Sequence, residues 1–163
     1  MNARAMLVES PQIDPNQFYS PSLLGGSVEY DVDLTESNCG CVAAFYLTTS
    51  PGRDASGNFW NTDGYYYCDD HAVTGNYCPG FDLMEADQWV FVTNPHSCDP
   101  PTEEGFYTKC SFDGDDMLNT VDMLDYSAYG PGDSFTINTL KEYHVKHTFG
   151  YAGNFYVELT QDG

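Results

Sequence analysis

Apolar and polar residues alternate strictly in residues 27–34. Val28, Tyr30, Val32 and Leu34 occupy every second position, and acidic residues fill most of the positions between them. Neighbouring side chains on a β-strand point to opposite faces, so this period of two is typical of a strand with one buried face. The pattern therefore predicts that these four side chains lie in the core.

Other stretches of strand length are distributed along the rest of the chain. The strands are predicted at residues 42–48, 65–68, 81–85, 89–93, 134–139, 142–149 and 154–159. Glycines between the last two predict a hairpin at residues 150–153. A single short helix is predicted at residues 117–124. Many strands joined by long loops favour an all-β fold, an antiparallel β-sandwich or jelly roll.

The chain length of 163 residues predicts one domain, which we take as a single β-sandwich over residues 1–163. Residues 1–22 are predicted to be an irregular N-terminal arm, because Pro11, Pro15 and Pro21 interrupt any regular element. Residues 50–64 and 94–116 are predicted to be long loops. No internal repeat divides the chain further.

The charge balance is strongly acidic. Five Lys and Arg against 25 Asp and Glu give a formal net charge of −20, which argues against nucleic acids and anionic membranes as partners. Neutral polysaccharides, cationic partners and metal ions are compatible with this charge. No apolar run approaches the roughly 18 residues that indicate a membrane-spanning helix.

The chain has six cysteines and no Cys-x-x-Cys pair, which argues against a zinc ribbon or a thioredoxin-type centre. An even count suits disulfides in an oxidising compartment, so a secreted, extracellular protein is expected. The first ten residues, MNARAMLVES, lack the pattern of a signal peptide. The chain is accordingly interpreted as mature, trimmed or internal.

Five collinear motifs carry a resemblance to a known family. They are SVEYDVDLTESNCGCVAAFYL, GYYYCDD, GFDLMEAD, NPHSC and AYGPGDSFTINTLKEYHVKHTF. They resemble motifs of glycoside hydrolase family 7, the fungal-type retaining cellobiohydrolases and endoglucanases. The similarity runs over residues 27–149 and corresponds to the central portion of a longer catalytic domain, so the resemblance implies an abbreviated, concanavalin-like sandwich.

The resemblance implies a site with two carboxylates about 5–5.5 Å apart across the glycosidic bond. It places the acid/base at Glu85, a helper carboxylate at Asp82 and a site histidine at His96. The nucleophile position falls on Gly80, which has no carboxylate, so the family's double displacement cannot run in the usual way. Glu85 has the opposite strand parity to Gly80 and Asp82, which predicts a bend or bulge.

The resemblance also predicts which residues would contact the sugar. The residues that match positions lining the family's site are Tyr46, Tyr67, Asp69 and Asp113. Trp60, with Tyr65–Tyr67, is interpreted either as a stacking platform for pyranose rings or as core. Two family residues are replaced, a tryptophan by Met84 and an arginine by Gly105.

The resemblance also implies two disulfides, Cys68–Cys78 and Cys98–Cys110. The family partner of Cys39 lies outside the matching segment. A bridge from Cys39 to Cys41 would be strained, and a partner on another chain is the alternative.

No functional role is predicted for several other titratable residues. His144 and His147 point to opposite faces of a strand and form no metal pair, and Asp70 and His71 are interpreted as loop residues. No cofactor is expected. A weak calcium site is considered at one acidic loop, with a solvated loop as the alternative; its residues are Asp113, Asp115 and Asp116.

Three functions follow. The first is a degenerate, non-catalytic cellulase-like protein that binds a β-linked glucan or another neutral polysaccharide, or has an extracellular structural role. Its exposed sheet edges would be covered by self-association or by a partner chain. The second is an active β-1,4-glucanase, in which Glu85 is the acid and Asp82 or His96 activates water. The third is a piece of a larger catalytic domain.

Overall fold

The computed structural model describes residues 5–7, 13–37, 40–62, 64–115, 118–119 and 125–162. Within these residues the secondary structure is β-strand and no helix is present, so none can cross a membrane. The nine strands are β1 (Ser27–Val32), β2 (Ala43–Thr48), β3 (Gly80–Ala86), β4 (Phe91–His96), β5 (Leu118–Asn119), β6 (Tyr129–Gly130), β7 (Ile137–Asn138), β8 (Tyr143–Phe149) and β9 (Phe155–Thr160).

The strands form two larger sheets and one short pair. The first sheet has the order β1-β8-β9 and is antiparallel, with Val32 opposite Tyr143 and Val145 opposite Leu159. The second has the order β2-β3-β4-β5, and the short strands β6 and β7 pair in parallel. The predicted all-β, largely antiparallel class is confirmed.

Most predicted strands are present, and three predictions need correction. Residues 65–68 form no strand; Tyr66 adopts a positive φ of 57°, which interrupts an extended conformation just before the loop that the Cys68–Cys78 disulfide closes. Within the predicted helix at 117–124, Leu118 and Asn119 are a strand that pairs with β4, and the other six positions lie outside the described residues. Of the predicted strand at 134–139 only Ile137–Asn138 is extended, because it pairs with β6.

The chain divides into two compact units. The loop unit comprises the described residues of Met1–Pro21, Leu47–Phe81 and Pro95–Asp115. The strand unit comprises those of Ser22–Tyr46, Asp82–Asn94 and Asp116–Gly163. The prediction of one domain with an N-terminal arm over residues 1–22 stays a prediction.

The strand unit contains the hydrophobic core. In β8 the buried positions alternate with half-buried ones, and β1 buries Val32, as the sequence alternation predicts. Side chains from both larger sheets meet in one cluster, and its fully buried members are Val32, Leu34, Met84, Ala86, Phe91, Tyr129, Ile137, Tyr143 and Val145. Burying a large apolar side chain contributes about 1.5–3 kcal/mol, so this cluster is the main stabilising feature of the strand unit.

Three tyrosine hydroxyls inside the strand unit are hydrogen-bonded. The hydroxyls of Tyr129 and Tyr143 lie 3.0 Å apart, and Tyr129 also donates to the Asp87 carbonyl at 2.9 Å. Burial raises the pKa of both tyrosines well above the usual range. The Tyr30 hydroxyl donates to the Leu83 carbonyl and lies 3.1 Å from His147 Nε2. These bonds fix which faces of β1, β3 and β8 turn inward.

The loop unit is held together differently. Both of its disulfides, Cys68–Cys78 and Cys98–Cys110, are present as the resemblance implies. Short loops closed by disulfides lose less chain entropy on folding, which substitutes for apolar burial. Cys41, in the strand unit, is exposed and unbonded, and Cys39 lies outside the described residues.

Candidate functional site

Gly80, which the resemblance places at the nucleophile position, begins β3 and lies in the loop unit. A Cβ atom at this position would lie 3.1 Å from Asp70 Oδ1 and 3.7 Å from the Leu47 carbonyl oxygen. The first distance is shorter than ordinary van der Waals contact, so a side chain at position 80 would displace the Asp70 carboxylate. The space beside Gly80 is therefore occupied by a carboxylate from another part of the chain.

Asp70 lies two residues after Cys68, which is bonded to Cys78. Asp69 and Tyr77 form an isolated parallel bridge next to this disulfide. The Asp70 carboxylate lies beside the backbone of Gly80, two residues after Cys78. The interpretation of Asp70 as an ordinary loop residue misses this contact, because the carboxylate is buried, with 6% of the residue exposed.

The second oxygen of Asp70 faces two imidazoles. Oδ2 lies 2.8 Å from His71 Nδ1 and 3.0 Å from His96 Nδ1. Neither contact has hydrogen-bond geometry, so Oδ2 is a buried acceptor that receives no hydrogen bond from the described residues. A buried acceptor in this state costs free energy unless a donor reaches it, and such groups in native structures are associated with ligand sites.

His96 ends β4 and is 4% exposed. Its Nδ1 lies 2.8 Å from the Ser111 carbonyl oxygen. A carbonyl only accepts, so Nδ1 is the donor of this hydrogen bond. The structure thus brings the predicted site histidine to the carboxylate beside Gly80.

Two aromatic side chains adjoin this carboxylate in the loop unit. The His71 ring packs edge-on against the Phe112 ring, with centroids 4.2 Å apart, and lies 5.8 Å from the His96 ring. Phe112 is 68% exposed. The loop unit thus places an exposed aromatic ring next to the histidine that contacts the buried carboxylate.

Gly105 stands where the resemblance places an arginine. A positively charged side chain lies beside it, as the negatively charged Asp70 lies beside Gly80. A Cβ atom at Gly105 would lie 3.2 Å from Arg53 Cδ and 3.8 Å from Arg53 Nε. The Arg53 guanidinium stacks on Phe59 at 4.5 Å and donates to the Gly57 carbonyl at 2.8 Å. At both glycines a side chain of the sign expected from the resemblance approaches from a neighbouring loop.

The predicted sugar-contacting residues of the loop unit differ in exposure. Tyr67 and Asp69 are buried, and Asp69 Oδ1 accepts from the Val73 N–H at 2.9 Å, which holds the disulfide-closed loop. Trp60 is half-buried, and its Nε1 donates to the Thr74 carbonyl at 3.0 Å. Tyr65 is 51% exposed. Tyr66 is half-buried, so the four aromatic residues of the predicted platform range from buried to exposed.

The remaining predicted residues lie in the strand unit. Tyr46 in β2 and Asp82 in β3 are half-buried, and Glu85 is exposed. Met84 joins the hydrophobic core, which accounts for an apolar side chain where the family has a tryptophan. The roles assigned to Asp82 and Glu85 stay predictions, as does the bulge between them.

The acidic loop considered for calcium is only partly described. Asp113 is exposed, and the Asp115 carboxylate accepts from the Ser97 N–H at 2.6 Å, a bond that lowers the pKa of Asp115. Asp116 lies outside the described residues. Among the side chains that are described, no group of three or more metal-ligating residues is present.

Comparisons with known proteins test the resemblance to glycoside hydrolase family 7. No family profile matches the chain. Endoglucanase 1 of Humicola insolens is 29% identical over 154 residues, an alignment that covers 78% of this chain and 37% of the relative. The Humicola insolens endocellulase Cel7B superposes with a TM-score of 0.66 at 26% identity, over 86% of this chain and 42% of that one. The resemblance to glycoside hydrolase family 7 is confirmed.

A second structural relative extends the likeness in fold. The family 7 cellobiohydrolase of Daphnia pulex superposes with a TM-score of 0.65 at 21% identity, over 86% of this chain and 44% of that one. The antiparallel β-sandwich is therefore confirmed as the fold. The chain spans 37% of the length of Endoglucanase 1, so it corresponds to part of the family 7 catalytic domain.

Sequence reasoning missed Asp70, His71, Phe112 and Arg53. The contacts of Asp70 with Gly80 and of Arg53 with Gly105 left no signal in the sequence, because each depends on how the loops fold together.

Proposed function

We propose that the protein is a cellulase-like β-glucan-binding protein that does not hydrolyse its ligand by the family's retaining mechanism. The observation that carries this proposal is Gly80, which stands at the nucleophile position and has no side chain to attack the anomeric carbon. Loss of a nucleophile costs several powers of ten in rate, so turnover by double displacement is not expected.

The described groups support binding of a neutral sugar. The loop unit combines exposed aromatic surface with buried hydrogen-bonding groups, and a glucan offers hydroxyls and apolar ring faces. The net charge of −20 repels anionic polysaccharides and leaves neutral ones unaffected. Endoglucanase I, which has the same fold, has been solved in complex with cellobiose, a neutral β-linked disaccharide.

The test measures both the binding of a β-glucan and its hydrolysis. Calorimetry with cellotetraose should give saturable binding by the wild-type protein, and a reducing-sugar assay on neutral hydroxyethyl cellulose should give no signal above buffer. Galactomannan of similar size is the control ligand, and the wild-type protein should bind it more weakly. Absence of binding to every β-glucan, or turnover at ordinary enzymatic rates, would overturn the proposal.

An active β-1,4-glucanase is the second candidate, favoured by the Asp70 carboxylate 3.0 Å from His96 Nδ1. In this alternative a water takes the place of the missing nucleophile and Glu85 is the proton donor. The Glu85→Gln variant distinguishes the two candidates, because it should abolish any hydrolysis and leave cellotetraose binding intact. An inverting water mechanism would also release the product with inverted anomeric configuration.

An extracellular location and an assembly role belong to the same proposal. Two disulfides are stable in an oxidising compartment, which fits a secreted protein. In the sheet ordered β1-β8-β9, β9 is an edge strand, and its Tyr156 is 61% exposed. Self-association through such an edge would appear in light scattering as a mass that rises with protein concentration.

A further inference from the structure

We propose that the strand unit carries a docking site for a basic polypeptide segment, in which an Arg or Lys side chain of the partner enters an aromatic corner formed by Trp89 and Phe135. Exposed carboxylates on both sides of this corner attract the other positive charges of the partner. The inference goes beyond the proposed function and does not depend on glucan binding.

Trp89 lies in the turn between β3 and β4 and is 60% exposed. A large aromatic side chain gains free energy by burial, so an indole held at the surface is available to a partner. The Asp87 carboxylate fixes the turn, because it accepts from the N–H groups of Trp89 at 2.7 Å and of Val90 at 3.0 Å. The position of the indole is therefore set by the backbone of a closed turn.

Three further hydrogen bonds connect this turn to the rest of the strand unit. The Tyr129 hydroxyl donates to the Asp87 carbonyl at 2.9 Å. The Thr139 hydroxyl donates to the Gln88 carbonyl at 2.9 Å. The Gln88 side chain donates to the Leu34 carbonyl at 3.0 Å. A surface that is already rigid loses little conformational entropy when a partner binds, so the exposed indole is preorganised for binding.

Phe135 forms the second side of the aromatic corner. Its ring lies edge-on to the Trp89 indole, with centroids 6.5 Å apart and ring planes at 88°. Phe135 can occupy this place because Gly130 has no side chain: a Cβ atom at Gly130 would lie 2.5 Å from the Phe135 ring. The face of an indole is the strongest cation–π acceptor among the side chains, so this corner suits a guanidinium or ammonium group.

Carboxylates flank the aromatic corner on both sides. The exposed ones in the segments that contact the turn or carry Phe135 are Asp33, Glu36, Asp125 and Asp133. Lys141 Nζ lies 3.1 Å from Asp133 Oδ1 and neutralises that carboxylate. The others leave the surroundings of the corner negative, in a chain whose formal net charge is −20.

This charge decides which partner fits the aromatic corner. A second copy of the chain would bring the same net charge of −20, and repulsion between the copies would oppose the contact. A neutral glycan would gain nothing from the net charge. A basic segment gains twice, because the carboxylates accelerate its association and the indole face binds its cationic group. The occupant is therefore a positively charged polypeptide.

The experiment titrates the full chain with a peptide of alternating Arg and Gly. A second peptide carries citrulline, an uncharged analogue of similar shape, in place of each Arg. The chain has two tryptophans, so an NMR spectrum gives two indole N–H signals. The signal of Trp89 should shift on addition of the Arg peptide, and that of Trp60 should not. The citrulline peptide should bind at least about fivefold more weakly, because it makes no cation–π contact.

The Trp89→Leu variant keeps an apolar side chain and removes the aromatic face. It should weaken binding of the Arg peptide about two- to fivefold, the range of an exposed cation–π contact. Trp89→Phe should retain part of the affinity, because a smaller aromatic face remains. The matched control is Tyr151→Leu, which removes a ring that is 85% exposed in the strand unit and should bind as the wild type does.

The contribution of the carboxylates is tested with a second pair of variants. Glu36→Gln/Asp133→Asn removes two charges beside the aromatic corner and should weaken binding of the Arg peptide about twofold or more, as expected for exposed ion pairs. Glu103→Gln/Glu104→Gln removes two exposed charges of the loop unit and is the control for net charge alone. Equal effects of the two double variants would contradict a role of the local carboxylates.

Three results would overturn the docking site as a whole. They are no binding of the Arg peptide, equal affinity for the Arg and citrulline peptides, and equal affinity of Trp89→Leu and wild type for the Arg peptide. A mass in light scattering that rises with concentration for wild type but not for Trp89→Leu would assign the aromatic corner to a contact between two copies instead. Circular dichroism checks that each variant is folded. Failure of glucan binding would leave this inference unchanged.

Discussion

The strand unit and the loop unit solve the problem of stability by different means. In the strand unit, side chains of both larger sheets meet in one buried cluster, and its polar groups such as Tyr129 and Tyr143 are hydrogen-bonded to each other. The loop unit adds no residue to that cluster, and two disulfides close its loops. The burial of apolar surface dominates one unit, and covalent restriction of the unfolded chain dominates the other.

Residues that stabilise the fold and residues of the candidate site are subject to different constraints. A residue that contributes to a packed core, such as Met84, is constrained by shape and cannot also contact a ligand. The loop unit depends less on such packing, because the disulfides restrict its loops. Its side chains are therefore freer to change, and the predicted loss of a nucleophile at Gly80 falls in this unit.

The largest effect is expected in the strand unit, from Phe91→Ala. Phe91 is 2% exposed and contacts Tyr129 edge-on, so removing the ring leaves a cavity and should lower the free energy of unfolding by about 3–5 kcal/mol. Urea denaturation measures the loss. Trp89→Ala is the matched control, because Trp89 is 60% exposed, and its loss should be below about 1 kcal/mol. Equal losses in the two variants would contradict a core centred on Phe91.

Removing a disulfide is expected to give the next largest effect, this time in the loop unit. The double variant Cys68→Ser/Cys78→Ser opens a loop of sequence separation 10 and should destabilise by about 2–3 kcal/mol through the entropy of the unfolded chain. Hydrogen exchange should become faster at residues 69–78 and stay slow in β8. Cys41→Ser, which removes an unbonded exposed cysteine, is the control and should change neither. Uniform acceleration in both units would show that they unfold as one.

A pH effect of similar or smaller size is expected from His147. Burial lowers the pKa of His147 to about 4, against 6.5 for the exposed side chain. The folded chain therefore keeps this ring neutral while the unfolded chain protonates it, so stability is full above pH 6.5 and falls as the pH drops toward 4. A shift of this size corresponds to about 2–3 kcal/mol by pH 4.

The measurement compares unfolding free energies at pH 7 and pH 4. Carboxylates contribute an acid loss of the same sign, so the His147→Gln variant is needed to isolate the histidine: its loss should be smaller than that of wild type by the stated amount. His144→Gln is the control from the same strand, with a side chain that is 40% exposed, and it should retain the loss caused by His147. Identical pH profiles for wild type and His147→Gln would contradict the assignment.

The sequence predicts the strand unit better than it predicts the loop unit. Alternation identified β1 and β8 and the inward face of Tyr143, Val145 and His147, because burial of one sheet face leaves a period of two. Alternation did not predict that residues 65–68 lack a strand, because Tyr66 adopts a φ of 57° that an extended strand does not allow. Motif resemblance identified the family but not the contact of Asp70 with Gly80, since a contact through space leaves no pattern in the sequence.

The smallest effect concerns the contact between Gly80 and Asp70. In Gly80→Ala the new Cβ would lie 3.1 Å from Asp70 Oδ1, so a buried carboxylate must move by a few tenths of an ångström. We expect a loss of about 1 kcal/mol, the lower end of the cost of overpacking. In an Asp70→Ala background the obstruction is absent, and the same substitution should be neutral or slightly stabilising, because alanine restricts the unfolded chain more than glycine does.

A double-mutant cycle over wild type, the two single variants and the double variant measures this coupling by urea denaturation. A coupling of about 0.5–1 kcal/mol would show that residues 70 and 80 compete for one volume. The cycle carries its own control, because each single variant reports the cost that is unrelated to the contact. Strictly additive free energies would contradict this and would mean that a side chain at residue 80 and the Asp70 carboxylate do not compete for the same space.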